Sequence, residues 1–138
     1  MTGKTKAKDL MTAELVVGSE NITIEEAIKL LVNNRITGFP IVNRDNKIIG
    51  VLSELDIIKT MENSTDAKGV DLASPALYTR VVKTVQENAD WKEILDTFLD
   101  KKIRRLPVVD KEGHIKGIIT RRDIMKAIFY KNKSNGPK

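Results

Sequence analysis

Two short stretches of the chain pair a hydroxyl with a carboxylate at one spacing: Ser53-x-x-Asp56 and Thr120-x-x-Asp123. Each follows an apolar run that reads as a strand and opens a run with helical periodicity. The free N–H groups of a helix's first turn, together with its dipole, favour a phosphate. A Ser or Thr hydroxyl there can donate to a phosphate oxygen. An aspartate one turn later shares that face, and its carboxylate can accept from both hydroxyls of a ribose. The spacing therefore suits a ribose-phosphate group. It also suits plain capping, with Ser53 or Thr120 as N-cap and the aspartate beside the dipole, and spacing by itself leaves both readings open.

The charges around the two motifs differ. Lys101, Lys102, Arg104, Arg105, Arg121 and Arg122 surround the second, whereas Thr37, Gly38 and Glu54 occupy matching places in the first. The second motif is expected to take the more highly charged phosphate chain; a solvated basic face is the alternative. His114, the only histidine, follows a Glu-Gly turn and is expected to be exposed and structural, with no second metal ligand beside it. The absence of cysteine excludes disulfides, thiolate metal sites and a cysteine nucleophile. No Ser-His-Asp set, phosphate-binding P-loop or dinucleotide glycine pattern occurs. A hydrolase pairing Asp56 with Asp123 is the least supported reading.

The elements that must position these groups repeat themselves. Shifted by 67 residues, the sequence falls on itself without a gap: Phe39-Pro40-Ile41-Val42-Asn43 lands on Leu106-Pro107-Val108-Val109-Asp110, and Ser53-Glu54-Leu55-Asp56-Ile57 on Thr120-Arg121-Arg122-Asp123-Ile124. Each copy starts with a short extended piece, Leu15 to Val17 or Val81 to Val85. A helix follows, opened by Thr23 with Glu26 or Asp90 with Glu93 at capping-box spacing, with apolar faces Ile24, Ala27, Ile28, Leu31 and Trp91, Ile94, Leu95, Phe98. A hairpin comes next, turning over 43–47 or 110–114. A second helix begins near Ser53 or Thr120 and is expected to bury Ile57, Ile58 and Met61, or Ile124, Met125 and Ile128. The unit is β-α-β-β-α, twice. One such unit of about 60 residues has a marginal core, so two are expected to pack together.

Composition sets outer bounds. The 138 residues are 41% apolar and 31% charged, which suits a soluble fold with a real core. No apolar run approaches the ~18 residues of a membrane span, and no secretory leader is evident, so a cytoplasmic setting is expected. The net charge of +5 lies partly in terminal lysines and reads as solvated tails rather than a nucleic-acid arm. Of six aromatic residues, Trp91, Phe98 and Phe129 fall at helical core positions, which leaves no evident stacking platform for single strands.

These motifs resemble the CBS domain, and their duplication resembles a tandem CBS pair, or Bateman module. The resemblance runs from about Lys8 to Phe129 and rests on Asp9-Leu10-Met11-Thr12, on Ile36-Thr37-Gly38-Phe39-Pro40 and Ile103-Arg104-Arg105-Leu106-Pro107, and on the stretches 50–56 and 117–123. Ala76-Leu77-Tyr78-Thr79 departs from it, because Asp9 has no counterpart there. The resemblance implies an α+β fold of two repeats packed with pseudo-two-fold symmetry around a central cleft: 8–62, a linker over 63–75, 76–130, and a basic tail over 131–138.

It further implies a non-catalytic regulatory module that binds AMP, ADP or ATP and controls an unidentified partner, assembles as a homodimer through its helices, and requires no metal or cofactor. Asp56 and Asp123 would hold ribose, and Ser53 and Thr120 phosphate. Ile36, Thr37 and Gly38, Ile103, Arg104 and Arg105, with Val17 and Thr84 from the first strands, would line the adenine slot, and Arg121 would stand beside it. Ile36 and Ile103 also fit ordinary core, and Gly38 a positive φ or a close backbone approach. The alternatives are an S-adenosylmethionine module, a nucleic-acid-binding protein and a ligand-free scaffold.

Overall fold

Side-chain caps and tight turns punctuate the chain at equivalent places in both repeats. The computed structural model describes residues 5–62, 69–80, 83–101 and 103–135. In chain order its elements are α1 (Ala7–Leu10), β1 (Gly18–Ser19), α2 (Ile24–Asn34), β2 (Gly38–Val42), β3 (Ile48–Ser53), α3 (Glu54–Glu62), β4 (Thr79–Arg80), β5 (Val85–Gln86), α4 (Trp91–Lys101), β6 (Arg105–Val109), β7 (Ile115–Thr120) and α5 (Arg121–Asn135). The fold is α+β, and the order β-α-β-β-α occurs twice as the sequence predicts, with α1 and β4 added.

Both predicted helix starts form. The Thr23 hydroxyl accepts from the Glu26 N–H at 3.2 Å, and the Asp90 carboxylate accepts from the Glu93 N–H at 2.8 Å. Each bond satisfies a donor that the helix itself leaves unpaired. Both hairpin turns close on the side chain of their first residue. Asn43 Oδ1 accepts from the N–H groups of Asp45 and Lys47, and Asp110 Oδ1 from those of Glu112 and His114, all at 2.9–3.0 Å. Left-handed residues complete the turns: Asn46 (φ 62°) in one and Gly113 (φ 92°) in the other.

The strands pair in matching registers. β1 runs parallel to β2 with Gly18 opposite Ile41, and β2 runs antiparallel to β3 with Phe39 opposite Leu52. β5 runs parallel to β6 with Val85 opposite Val108, and β6 antiparallel to β7 with Leu106 opposite Ile119. β4 extends the first sheet against β3, giving the order β1-β2-β3-β4; the order in the second sheet is β5-β6-β7.

The described residues form two compact units, one of 16–80 and one of 5–15 with 83–135. Each repeat thus packs against the leading segment of the other. In the first unit, Ile24, Leu31, Phe39, Ile41 and Leu52 are buried together with Ala76 from the segment that leads into the second repeat. In the second, Ile94, Leu106, Val108 and Ile119 are buried together with Ala7 and Leu10 from the start of the chain. Backbone hydrogen bonds fix these placements: Thr12 exchanges bonds with Ile118, and Ala76 N–H donates to Ile22 at 2.8 Å.

Several expectations are corrected. The first extended piece pairs at Gly18–Ser19 rather than over Leu15 to Val17. The strand at the start of the second repeat is Val85–Gln86, with residues 81 and 82 outside the described residues. Of the apolar residues expected to be buried on the second helices, Ile57 and Ile124 are buried, but Ile58 (61% exposed), Met61, Met125 (59%) and Ile128 are exposed. α3 enters the core of the first unit through Ile57 and α5 that of the second through Ile124, which leaves the rest of their apolar surface outward. Phe129, expected in the core, is 53% exposed and lies edge-on to Tyr130. Residues 131–135 of the basic tail continue α5; 136–138, residues 63–68 of the linker over 63–75, and Lys102 lie outside the described residues. No described helix is long and apolar enough to cross a membrane.

Candidate functional site

Each motif sits where a strand turns into a helix, and the neighbouring strand locks the corner. Gly38 pairs with Ser53 across β2 and β3, and the Glu54 N–H donates to the Thr37 carbonyl at 3.0 Å. The second corner repeats this with Arg105 opposite Thr120 and the Arg121 N–H on the Arg104 carbonyl at 3.3 Å.

The hydroxyl and carboxylate bond each other reciprocally. Asp56 Oδ2 accepts from the Ser53 N–H at 2.8 Å and from the Ser53 hydroxyl at 3.1 Å, while the Asp56 N–H donates back to Ser53 Oγ at 3.3 Å. Asp123 Oδ2 accepts from the Thr120 N–H at 2.8 Å and the Thr120 hydroxyl at 3.0 Å, and the Asp123 N–H returns to Thr120 Oγ1 at 3.1 Å. The capping arrangement allowed by the spacing is therefore present in both halves, in the form of a capping box.

The second carboxylate oxygen is held from elsewhere in the chain. The Thr79 hydroxyl donates to Asp56 Oδ1 at 3.3 Å, and the Thr12 hydroxyl to Asp123 Oδ1 at 3.2 Å. Both threonines belong to the exchanged leading segments. Each is preceded by a side chain seated on a glycine. A Cβ on Gly117 would come within 2.5 Å of Met11 Sδ, and one on Gly50 within 2.6 Å of the Tyr78 ring and 2.8 Å of the Thr79 carbonyl. The glycines are thus required by close approach. The sequence reading placed Thr12 and Thr79 in the leading segments without linking them to the aspartates. The signal was present, because Met11, Thr12, Gly50 and Asp56 superpose on Tyr78, Thr79, Gly117 and Asp123 at the same offset of 67.

The remaining sequence-predicted residues fall as follows. Ile36 packs against the core of the first unit and Ile103 against that of the second, as their core reading expects. Ile36 and the exposed Thr37 also line a groove of about 500 Å³ with Glu54, Ile57 and Ile58. Gly38 lies in β2 and is absent from the positive-φ residues. Arg104 is exposed and Arg105 half-buried. Arg121 folds back, its Nε–H donating to the Ile103 carbonyl at 3.1 Å. Val17 is exposed just before β1. Thr84, just before β5, lines an open depression of about 670 Å³ with Gln86, Asn88, Asp110 and Glu112.

His114 is less exposed than expected. Its Nδ1 lies 2.9 Å from Asp110 Oδ2 and 3.6 Å from Glu112 Oε2, and its side chain is 30% exposed. Burial pushes the Asp110 carboxyl up, but the His114 backbone N–H, the His114 ring and the Glu112 N–H together hold it below its ordinary value. Among the described residues no three His, Asp, Glu or Cys side chains group as a metal site.

Comparison with known proteins establishes the family. The family model for the CBS domain matches residues 7–63 and 74–130. The chain is 32% identical to the uncharacterized protein MJ1426 of Methanocaldococcus jannaschii, over 88% of this chain and 90% of that one. The crystal structure of CBSX2 from Arabidopsis thaliana in complex with AMP is similar, with a TM-score of 0.77 and 27% identity over 92% of this chain and 98% of that one. So is the CBS domain pair of protein MJ0100 in complex with 5-methylthioadenosine and S-adenosyl-L-methionine, with a TM-score of 0.76 and 28% identity over 92% and 98%. The chain belongs to the CBS domain family and carries two copies of the domain.

Proposed function

We propose that this chain is a non-catalytic regulatory module that binds an adenine nucleotide, AMP, ADP or ATP, at its two strand-to-helix corners. The observation that carries the reading is the duplicated corner itself: a hydroxyl, a carboxylate and a helix N-terminus in the same geometry in both halves. Asp56 and Asp123 accept from ribose hydroxyls. Ser53, Thr120 and the first-turn N–H groups face phosphate oxygens. Ile36, Thr37 and Gly38, and Ile103, Arg104 and Arg105, with Val17 and Thr84, form the adenine surroundings. The AMP complex of CBSX2 supports this ligand class.

Arg104, Arg105 and Arg121 make the second corner the one for the longer phosphate chain. Occupancy changes the affinity for a regulated protein partner, which requires that the ligand bind two arrangements of the module unequally. The exposed Leu55, Ile58 and Met61 of α3 and Met125, Ile128 and Phe129 of α5 are the faces through which two copies associate. The module works in the cytoplasm.

A second reading keeps the corners and changes the ligand. The MJ0100 pair holds S-adenosyl-L-methionine and 5-methylthioadenosine, which share the ribose diol but carry no phosphate. Calorimetric titration with ATP, AMP and S-adenosylmethionine separates the two. Affinity rising from AMP to ATP supports the nucleotide reading; binding of S-adenosylmethionine alone replaces it; no heat with any of the three overturns both.

A further inference from the structure

A carboxylate can meet two hydroxyls at once only if its plane is held. We propose that Thr12 and Thr79 are positioning residues for ribose: each donates to one oxygen of its aspartate and holds that carboxylate with an acceptor position open on both oxygens. This role rests on the nucleotide reading above and accounts for how each corner tells ribose from deoxyribose.

A carboxylate offers about four acceptor positions, two on each oxygen. With a nucleotide bound, the Ser53 and Thr120 hydroxyls donate to phosphate. Asp56 Oδ2 then keeps the Ser53 N–H, and Asp123 Oδ2 keeps the Thr120 N–H. Oδ1 keeps the Thr79 hydroxyl in the first corner and the Thr12 hydroxyl in the second. One position stays open on each oxygen, and a ribose 2′,3′-diol brings two donors. The N–H bond alone pins one oxygen and leaves the carboxylate free to turn about it. The threonine bond pins the other.

The threonines are themselves held. Thr79 pairs with Val51 across β4 and β3. Thr12 exchanges backbone bonds with Ile118 of β7, which is the equivalent of Val51 at the offset of 67. The preceding side chain is seated on a glycine in each case, Tyr78 on Gly50 and Met11 on Gly117. Each threonine also lies in the same compact unit as its aspartate. Both side chains are exposed, so neither is there to fill a core.

At 3.2 and 3.3 Å the threonine bonds are long for two oxygens, so they direct the carboxylate more than they add energy. Direction matters most for a ligand with two donors. A carboxylate free to turn can still meet one hydroxyl, but meeting two together costs the freedom that the threonine has already removed. Thr12 and Thr79 therefore widen the preference for ribose over deoxyribose.

The test is calorimetry on the full chain with AMP and 2′-deoxy-AMP, comparing wild type, the Thr12→Val/Thr79→Val double variant and the Thr12→Ser/Thr79→Ser double variant. Valine keeps the strand preference of threonine and removes the hydroxyl, whereas serine keeps the hydroxyl. The valine variant is expected to bind AMP about fivefold more weakly and 2′-deoxy-AMP less than about twofold more weakly, so that the ribose preference falls. The serine variant is expected to restore the wild-type preference. A purely structural tether would lower the melting temperature and shift both ligands alike. If the double valine variant does not fold, each single valine variant reads its own corner by the same ratio. Equal shifts for the two ligands, unchanged AMP affinity or tighter AMP binding would overturn the positioning role while leaving the nucleotide reading intact. Failure of the wild type to bind AMP, ADP, ATP or S-adenosylmethionine would sink the nucleotide reading, and the positioning role with it.

Discussion

The two corners share their hydrogen bonds and differ in what surrounds them. Ser53, Asp56 and Thr79 in one, and Thr120, Asp123 and Thr12 in the other, make the same set of bonds to within about two tenths of an ångström. Around that shared frame, Thr37, Gly38, Glu54 and Leu55 of the first repeat correspond to Arg104, Arg105, Arg121 and Arg122 of the second. The frame is built from short local spacings and a paired strand, so it tolerates different neighbours. Charge is carried by side chains that the frame does not use. Duplication has thus kept the part that positions a carboxylate and varied the charge beside it.

The glycine sockets break the symmetry most strongly. At Gly50 an added Cβ meets the Thr79 carbonyl at 2.8 Å as well as the Tyr78 ring, whereas at Gly117 its three nearest neighbours are Met11 Sδ at 2.5 Å, Cγ at 2.7 Å and Cβ at 2.9 Å. The carbonyl and the ring can yield only by moving backbone, whereas at Gly117 the two shortest contacts are to a thioether arm that can swing away, with Met11 Cβ alone held by its backbone. Gly50→Ala is therefore expected to destabilise by about 1–3 kcal/mol in urea unfolding, and Gly117→Ala by less. Equal losses would mean that Met11 is as fixed in its seat as Tyr78.

Charge is the next difference. Replacing Arg104, Arg105 and Arg121 together by alanine is expected to weaken ATP binding about tenfold and AMP binding less, since each cation at or near the surface contributes modestly to a phosphate contact. Placing arginine at Thr37 and Gly38 should narrow the contrast from the other side. Loss of AMP and ATP binding in equal measure would remove the assignment of the second corner to the longer phosphate chain.

The smallest difference lies in the hairpin turns. Asn43 closes the first and cannot titrate; Asp110 closes the second, with its carboxyl held below the ordinary value by His114 and Glu112. A depressed native value means that the unfolded chain binds the proton more readily. The contribution of Asp110 is then fully present above about pH 5 and is lost as pH falls through its lowered native value. Asp110→Asn, which copies the first turn, should flatten the acid limb of the stability profile and change little at pH 7. An acid limb unaltered by that substitution would show that other carboxylates set it.

What could be read from the sequence was local. Capping pairs such as Thr23 with Glu26, the hairpin turns and the corner motifs depend on residues three to five apart, and their side chains have few other ways to satisfy the backbone. Each hairpin followed because turn residues between two apolar runs bring the runs together within one strand length. What escaped was long-range. The repeat marks Thr12 and Thr79 as equivalent, but no local spacing announces that Thr12 meets Asp123 111 positions away. The exchange of leading segments is a property of topology, and it moved Ala7, Leu10 and Ala76 into cores the periodicity did not assign. Ile58, Met61, Met125 and Phe129 were legible as apolar, but a helix pattern does not say how wide a stripe the sheet will cover. β1 began at Gly18 because Gly18 is the first residue there whose backbone reaches Ile41.

The most direct measurement is the heat of AMP binding to the wild-type chain and to the Asp56→Ala/Asp123→Ala variant, with thermal melting to verify that the variant still folds. Two ribose bonds to a charged acceptor are lost in each corner, so the account predicts binding to the wild type and a decline of at least about 100-fold in the variant. A folded variant that binds AMP as the wild type does would contradict it.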